Sequence, residues 1–285
     1  CPDCCRFMGI RQSAHTDPVP KPEHALDVVQ MDLKVCNVKS NRGNKYIVAF
    51  VDVKTGRSWC IPSPSNSAAD IIRIFHHWKV QTIKNRPIGV LMTDNEAWAT
   101  SAEWDNAMDN LKVNQRKCGA YEHHQNGVVE RRFRALNAMC GLYLDSTSNL
   151  DIKFWDYAYL HANENLQYYH QQGQKRSPME KWQDAFPTER VHTDTEFLRA
   201  WGSKCYMYNE TRAGFDPKKT VGYLLGYAPQ HSRDMYSCYS ADTKQVKHAV
   251  ACTFASPSKD DQRADAPVNI VFEKAQAVAP VSTLA

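Results

Sequence analysis

Three acids and an amide pose the chemical question in this chain. Met31-Asp32-Leu33 and Met92-Thr93-Asp94-Asn95 each set an aspartate at or near the end of an apolar, strand-like run. The run Gln125-Asn126-Gly127-Val128-Val129-Glu130-Arg131-Arg132 sets a glutamate one helical turn after an amide and beside two guanidinium groups. Carboxylates are hard oxygen donors, and three of them with substrate phosphate oxygens suffice for Mg²⁺, which keeps part of its water shell. Two such ions about 3.5–4 Å apart can activate a nucleophile and stabilise a leaving oxygen. The chemistry this permits is phosphodiester cleavage or transfer, with water or a DNA 3′-hydroxyl attacking in line and no covalent side-chain intermediate. In that scheme Asp32 bridges both ions, Asp94 holds one and Glu130 the other. Spacing alone is not the warrant: 35 residues lie between Asp94 and Glu130, and 31 acids in 285 residues give about three pairs at any one spacing by chance. The warrant is the context of two strand-borne aspartates and a helical glutamate flanked by Arg and Lys. Asp52 also ends an apolar run, but it precedes Lys54-Thr55-Gly56 and reads as a turn residue.

The elements that must position these acids can be read from periodicity. Leu26 to Cys36, Tyr46 to Asp52 and Arg57 to Ile61 are short β-branched or aromatic runs separated by turn signals, which predicts a three-stranded antiparallel meander. Ser67 caps a predicted helix with Ile71, Ile72, Phe75 and Trp78 on one stripe. A strand over Ile88 to Met92 follows and is predicted to run parallel to an earlier one, giving a mixed sheet with a crossover. From Val129 the apolar positions 129, 133, 136, 140 and 143 describe a helix with a buried seam, on which Asn126, Glu130 and Arg134 share a face. A helix over about Phe154 to Gln171 and another opened by Ser177-Pro178 complete the main unit. After Phe186-Pro187 the texture turns to short strands, Lys204 to Tyr208, Val221 to Tyr227, Met235 to Tyr239 and Val246 to Phe254, predicting a small β-rich module. The tail lacks periodicity and reads as disordered.

Composition bounds the class. With 42% apolar residues in 285, the chain can bury a sizeable core, and a net charge of +4 permits a polyanion partner without demanding one. Local clustering decides: Lys34, Lys39, Arg42 and Lys45 follow the first aspartate, and Arg131, Arg132 and Arg134 surround the glutamate. No apolar run approaches the ~20 residues that cross a bilayer, so no membrane partner is expected. Ten scattered cysteines with no preceding secretory signal read as reduced thiols, and Cys140 and Cys205 sit in apolar contexts as small core residues. Cys1 and Cys4 have the C-x-x-C spacing of half a Zn²⁺ site, whose other ligands would come from outside the chain or from His15 or His24; two idle thiols are the alternative. The chain begins with Cys rather than Met, as a segment of something longer would.

Taken in order, these motifs resemble the core of copia-type retrotransposon integrases, within the retroviral integrase and ribonuclease H-like superfamily. Asp32, Thr93-Asp94-Asn95 and Gln125 to Arg131 match its acidic triad, and Cys1-x-x-Cys4 resembles the second half of its zinc module. Tyr46 to Thr55, Phe154 to Asn165, Ser177 to Trp182, Trp201 to Cys205 and Phe215 to Tyr227 resemble successive later segments, so that the likeness covers roughly residues 1–256. The resemblance implies an α/β fold with a ribonuclease H-like mixed five-stranded sheet and flanking helices, followed by a small β-rich module. It implies a zinc-module remnant and linker over 1–24, a catalytic core over 25–186, the β module over 187–256 and a disordered tail over 257–285. It further implies a polyprotein-derived enzyme that joins element DNA ends to host DNA, with two Mg²⁺ or Mn²⁺ ions per site. Double-stranded DNA, further copies of the chain and a host tethering factor are the partners implied, and the nucleus, after a cytoplasmic particle stage, the place. Asn126, Arg131, Arg134 and Lys34 would meet the DNA. Glu96-Ala97-Trp98 stands where the family has Gly, Glu and an aromatic, and Glu122-His123 where it has Thr-Pro. Two other readings stay open: a non-catalytic DNA-binding protein derived from such an element, and a hydrolytic nuclease of the same fold.

Overall fold

The fold is built around one strand that is buried on both faces. In β2 (Tyr46–Asp52), Val48 and Phe50 point into one core and Ile47, Ala49 and Val51 into another, as the two-residue period of a strand dictates when both faces are covered. The computed structural model describes residues 21–117, 126–170, 173–189, 193–208, 213–215, 217–228, 235–250 and 252–254. Cys1, Cys4, His15, the Glu122-His123 departure, Gln125 and the tail over 257–285 lie outside them.

β1 (Val28–Val35) and β3 (Ser58–Ser63) pair antiparallel on either side of β2. β4 (Val90–Thr93) pairs parallel with β1, and β5 (Gln115–Lys117) parallel with β4, giving the mixed five-stranded order β3-β2-β1-β4-β5. One face carries α1 (Ala68–His77), which continues as a π-helical turn over Trp78–Thr82, and α2 (Ala102–Asn110). There Phe50 stacks on Trp78 with ring centroids 4.2 Å apart. The other face carries α3 (Gly127–Ser146) and α4 (Trp155–Tyr168), whose Val129, Phe133, Leu136, Trp155 and Tyr159 fill the second core. The predicted caps form: Ser67 Oγ accepts from Asp70 N–H, and Ser177 and Glu180 make a reciprocal capping box opening α5 (Pro178–Ala185).

The chain between β3 and β5 shows where the sequence reading and the fold differ. α2 carries a short apolar stripe, Trp104, Ala107, Met108 and Leu111, that the sequence reading passes over, and β5 carries none. Their joint is polar, with Trp104 Nε1 donating to Gln115 Oε1, Gln115 Nε2 to Asp105 and Lys117 Nζ to the same carboxylate. Two cations of the basic clusters are tied to the scaffold, one from the surface and one from inside. Arg42 pairs at 2.8 Å with the fully buried Asp156, which also accepts from Ser40 and Asn44, and Arg42 stacks over Tyr157. Arg132 is buried and donates to Gly56 C=O.

The second sheet, in the order β10-β6-β7-β8-β9, comprises β6 (Lys204–Tyr208), β7 (Lys219–Tyr227), β8 (Met235–Ser240), β9 (Val246–Val250) and β10 (Thr253–Phe254), all antiparallel. It docks on α4 and on the end of α3. Gly202, at φ +73°, sits so close to Thr147 that any Cβ would collide with its methyl group. His161 of α4 stacks on Tyr227 of β7 with centroids 5.2 Å apart, and Asn165 Nδ2 lies 3.1 Å from its Nε2.

Burial holds His161 well below its ordinary 6.5, at about 4. At pH 7 the ring is neutral whether the chain is folded or not, so it costs nothing. Below about pH 6.5 the unfolded chain takes up a proton that the folded chain refuses, and stability falls until about pH 4. The full effect is about 3 kcal/mol. Urea midpoints measured from pH 7 to pH 4 should fall more steeply for the wild type than for His161→Gln; parallel curves would show that the docked ring does not resist protonation.

Candidate active site

β1 delivers Asp32 to the helix side of the sheet by simple alternation. Val29, Met31 and Leu33 face the α1 core, so Gln30, Asp32 and Lys34 face the opposite side, where α3 begins. Asp32 is the fifth of eight strand residues rather than the last, but burial along β1 breaks at this position, with Val28 to Met31 buried and Asp32 onward partly open. Asp94 follows the last residue of β4, which is β1's parallel neighbour. Both aspartates therefore sit where the central strands leave the core. Glu130 occupies the first turn of α3, where the helix dipole favours a carboxylate.

Two amides tie these elements together. The N-cap residue of α3, Asn126, makes no side-chain cap. Gln30 takes that role from across the sheet, its Oε1 accepting from Val128 N–H at 2.9 Å and Val129 N–H at 3.1 Å. Two otherwise orphaned helix donors are thereby satisfied by β1 itself, which fixes Glu130 relative to Asp32. Asn126 Nδ2 donates to Met31 C=O at 3.3 Å and to Asp94 Oδ1 at 3.1 Å, bridging β1, β4 and α3. Asn126 was expected to meet DNA, but it is fully buried and bonds inward. Gln30 was not anticipated, since a single amide inside an apolar strand gives no periodic or motif signal.

The electrostatics report convergence. Asp32 is pushed up to about 7, first by burial and then by the charges of Asp94, Glu96 and Glu130, against one hydrogen bond from Leu33 N–H at 2.7 Å. Glu96 accepts from Trp98 Nε1 at 2.6 Å and is raised by burial and by Asp94. It adds a fourth carboxylate at the rim. Asp52 points elsewhere: it is fully buried and accepts from Leu26 N–H, Thr55 N–H and the Thr55 hydroxyl, as expected of a turn residue.

These acids offer hard oxygen donors in a half-buried setting with no basic side chain paired to Asp32, Asp94 or Glu130 among the described ion pairs, and Asn126 Oδ1, buried beside them, has no hydrogen-bond partner. That donor set fits divalent cations such as Mg²⁺. The carboxylate oxygens do not close into one compact sphere: among the described residues, the one group of three or more ligand atoms within 4.8 Å of one another is Cys205, Cys238 and Cys252. Acids that serve two ions about 3.5–4 Å apart need not share a sphere. Arg131 and Arg134 are exposed on α3, and Lys34 is half-buried on the same strand face as Asp32.

No family model matches the chain. Among curated proteins it is similar to the retrovirus-related Pol polyprotein from transposon 412 of Drosophila melanogaster, with 30% identity over 135 residues, 47% of this chain and 11% of that protein. It is also similar to the retrovirus-related Pol polyprotein from transposon TNT 1-94 of Nicotiana tabacum, with 25% identity over 238 residues, 80% of this chain and 17% of that protein. The chain thus spans less than a fifth of the length of these relatives. Among solved structures it is similar to a chain of the simian T-cell lymphotropic virus intasome in complex with PP2A regulatory subunit B56 gamma, with a TM-score of 0.49 and 16% identity, covering 90% of this chain and 87% of that one. By its sequence, the chain is similar to segments of retrotransposon Pol polyproteins.

Proposed function

We propose that this chain catalyses DNA strand transfer, the attack of a DNA 3′-hydroxyl on a target phosphodiester, as the integrase of a retrotransposon. The observation that carries the reading is the Asn126 amide, which joins Met31 C=O, next to Asp32, and Asp94 to the start of the helix that bears Glu130, at the partly open end of the central strands. Asp32, Asp94 and Glu130 would hold the metal ions. Bound Mg²⁺ or Mn²⁺ supplies the Lewis acidity that activates the hydroxyl and stabilises the leaving oxygen.

The chain's own residues bind and orient. Arg131 and Arg134, one turn apart along α3 and open to solvent, offer phosphate contacts beside Glu130, and Lys34 offers another beside Asp32. Gln30 and Asn126 position the acids without touching DNA. On this reading double-stranded DNA is the substrate, the chain works as a multimer in the nucleus, and a host factor directs it to its target.

Four outcomes test the reading. With Mg²⁺ and a short duplex carrying the element's terminal sequence, wild-type chain should yield joined product, and Asp94→Asn or Glu130→Gln should lower turnover by orders of magnitude while leaving DNA affinity nearly intact. Nicked DNA without joined product would assign hydrolysis instead, and equal turnover in the Glu130 variant would remove that residue from the site. Arg131→Ala should reduce the slope of log affinity against log salt by about 0.9; an unchanged slope argues against a phosphate contact there. Gln30→Leu strands two helix N–H donors, so it should cost about 1–3 kcal/mol of stability and slow turnover with DNA affinity unchanged. A variant with full turnover would show that Glu130 is placed without Gln30.

A further inference from the structure

The small β module contains a cluster that the acidic site does not use. Cys205 on β6, Cys238 on β8 and Cys252, just before β10, bring three sulfurs within 4.8 Å of one another. Cys205 Sγ donates to Cys238 Sγ at 3.5 Å, and Cys238 Sγ lies 3.8 Å from Cys252 Sγ. Cys205 and Cys238 are fully buried among Met207, Leu224, Tyr236 and Phe254, and Cys252 is half-buried at the edge.

We propose that Cys205, Cys238 and Cys252 form a three-thiolate site for a thiophilic d¹⁰ cation, Zn²⁺ or Cu(I). The spacing argues for it. A metal–sulfur bond of about 2.3 Å in tetrahedral geometry puts neighbouring sulfurs about 3.8 Å apart, close to the 3.5 and 3.8 Å that separate Cys238 from its two partners. A disulfide is the competing use of paired thiols, and the topology opposes it. β7 lies between β6 and β8, two strand spacings span about 9–10 Å, and a disulfide needs Cα atoms within about 7 Å. Cys205 and Cys238, reaching over an intervening strand, can share an ion but cannot bond to each other without moving the strands.

The chemistry of the surroundings agrees. Thiolates are soft ligands that select Zn²⁺ and Cu(I) over hard cations. Binding exchanges thiol protons for the metal and transfers no electrons: each ligating S–H releases its proton to solvent. Three thiolates around one cation leave net negative charge. The Lys219 ammonium, 2.5 Å from Thr253 Oγ1 and next to Cys252, offsets it.

The test uses the full chain with Cys1, Cys4 and Cys5 replaced by Ser, so that the C-x-x-C at the chain start cannot contribute. Purified under reduction, loaded separately with Zn²⁺ and Cu(I) and desalted, this protein should retain one ion per chain by elemental analysis, and the ion retained more tightly identifies the native metal. Co²⁺ should give a sulfur-to-metal charge-transfer band in the near ultraviolet. Because Cys238→Ala removes a core side chain, the half-buried Cys252→Ser carries the test. It should lose both the band and more than about tenfold of the retention, with circular dichroism and melting in EDTA equal to the parent. Retention that survives Cys252→Ser, a parent that keeps no ion, or a Cys205–Cys238 disulfide found by mass spectrometry would each overturn the site.

Discussion

Carboxylates do not gather in half-buried space unless something else holds them there. Two unit charges 4 Å apart repel by about 4 kcal/mol at the effective dielectric near a protein surface, and here Asp32 feels three other acids while losing part of its own hydration. The restraint is the backbone. Asp32 is fixed by the β1–β2 ladder, Asp94 by the end of a strand parallel to β1, and Glu130 by a helix whose first donors are taken by a side chain of β1. The repulsion is thus borne by elements whose stability comes from elsewhere, chiefly from the two cores on either side of β2.

That division of labour explains why neutral amides stand between the acids. A lysine or arginine at position 30 or 126 would relieve the repulsion by pairing with a carboxylate and would occupy the place of a cation. Gln30 and Asn126 instead spend their hydrogen bonds on helix donors, a strand carbonyl and one edge of Asp94. They set distances and leave the negative charge unneutralised. Arg132 makes the same point from the opposite side: it is adjacent to Arg131 in sequence, yet helix geometry turns it inward to cap Gly56 C=O, so that its charge is spent on the scaffold.

Much of this was legible in the sequence, and the rest was hidden for definable reasons. β1, β2, α1 and the seam of α3 announce themselves because one or both faces are apolar, and the turn role of Asp52 follows from Lys54-Thr55-Gly56. α2 and β5 are fainter, because the apolar stripe of α2 is short and set among polar residues and β5 is the tripeptide Gln-Arg-Lys, tied to α2 by hydrogen bonds to Trp104 and Asp105. The three acids could be named from motif order, but Gln30 could not, since its partners lie 98 and 99 residues away. Arg42 misled for a similar reason: its partner Asp156 is 114 residues distant, and nothing local distinguishes it from a solvated cation.

The thiol cluster was hidden by the same kind of distance, since its members stand 33 and 14 residues apart with no local C-x-x-C between them. Its placement bears on how one chain would keep two kinds of cation apart. The oxygen donors lie at a partly open sheet end, where a bound Mg²⁺ would keep part of its water shell; two of the sulfur donors lie buried among apolar side chains of the β module and the third at its edge. Ligand softness then does the sorting: a thiophilic ion gains little at the carboxylates, and Mg²⁺ gains little among thiols. Docking the module through His161 and Tyr227 onto α4, which packs against α3, places the two sets on one continuous scaffold while keeping their chemistries apart.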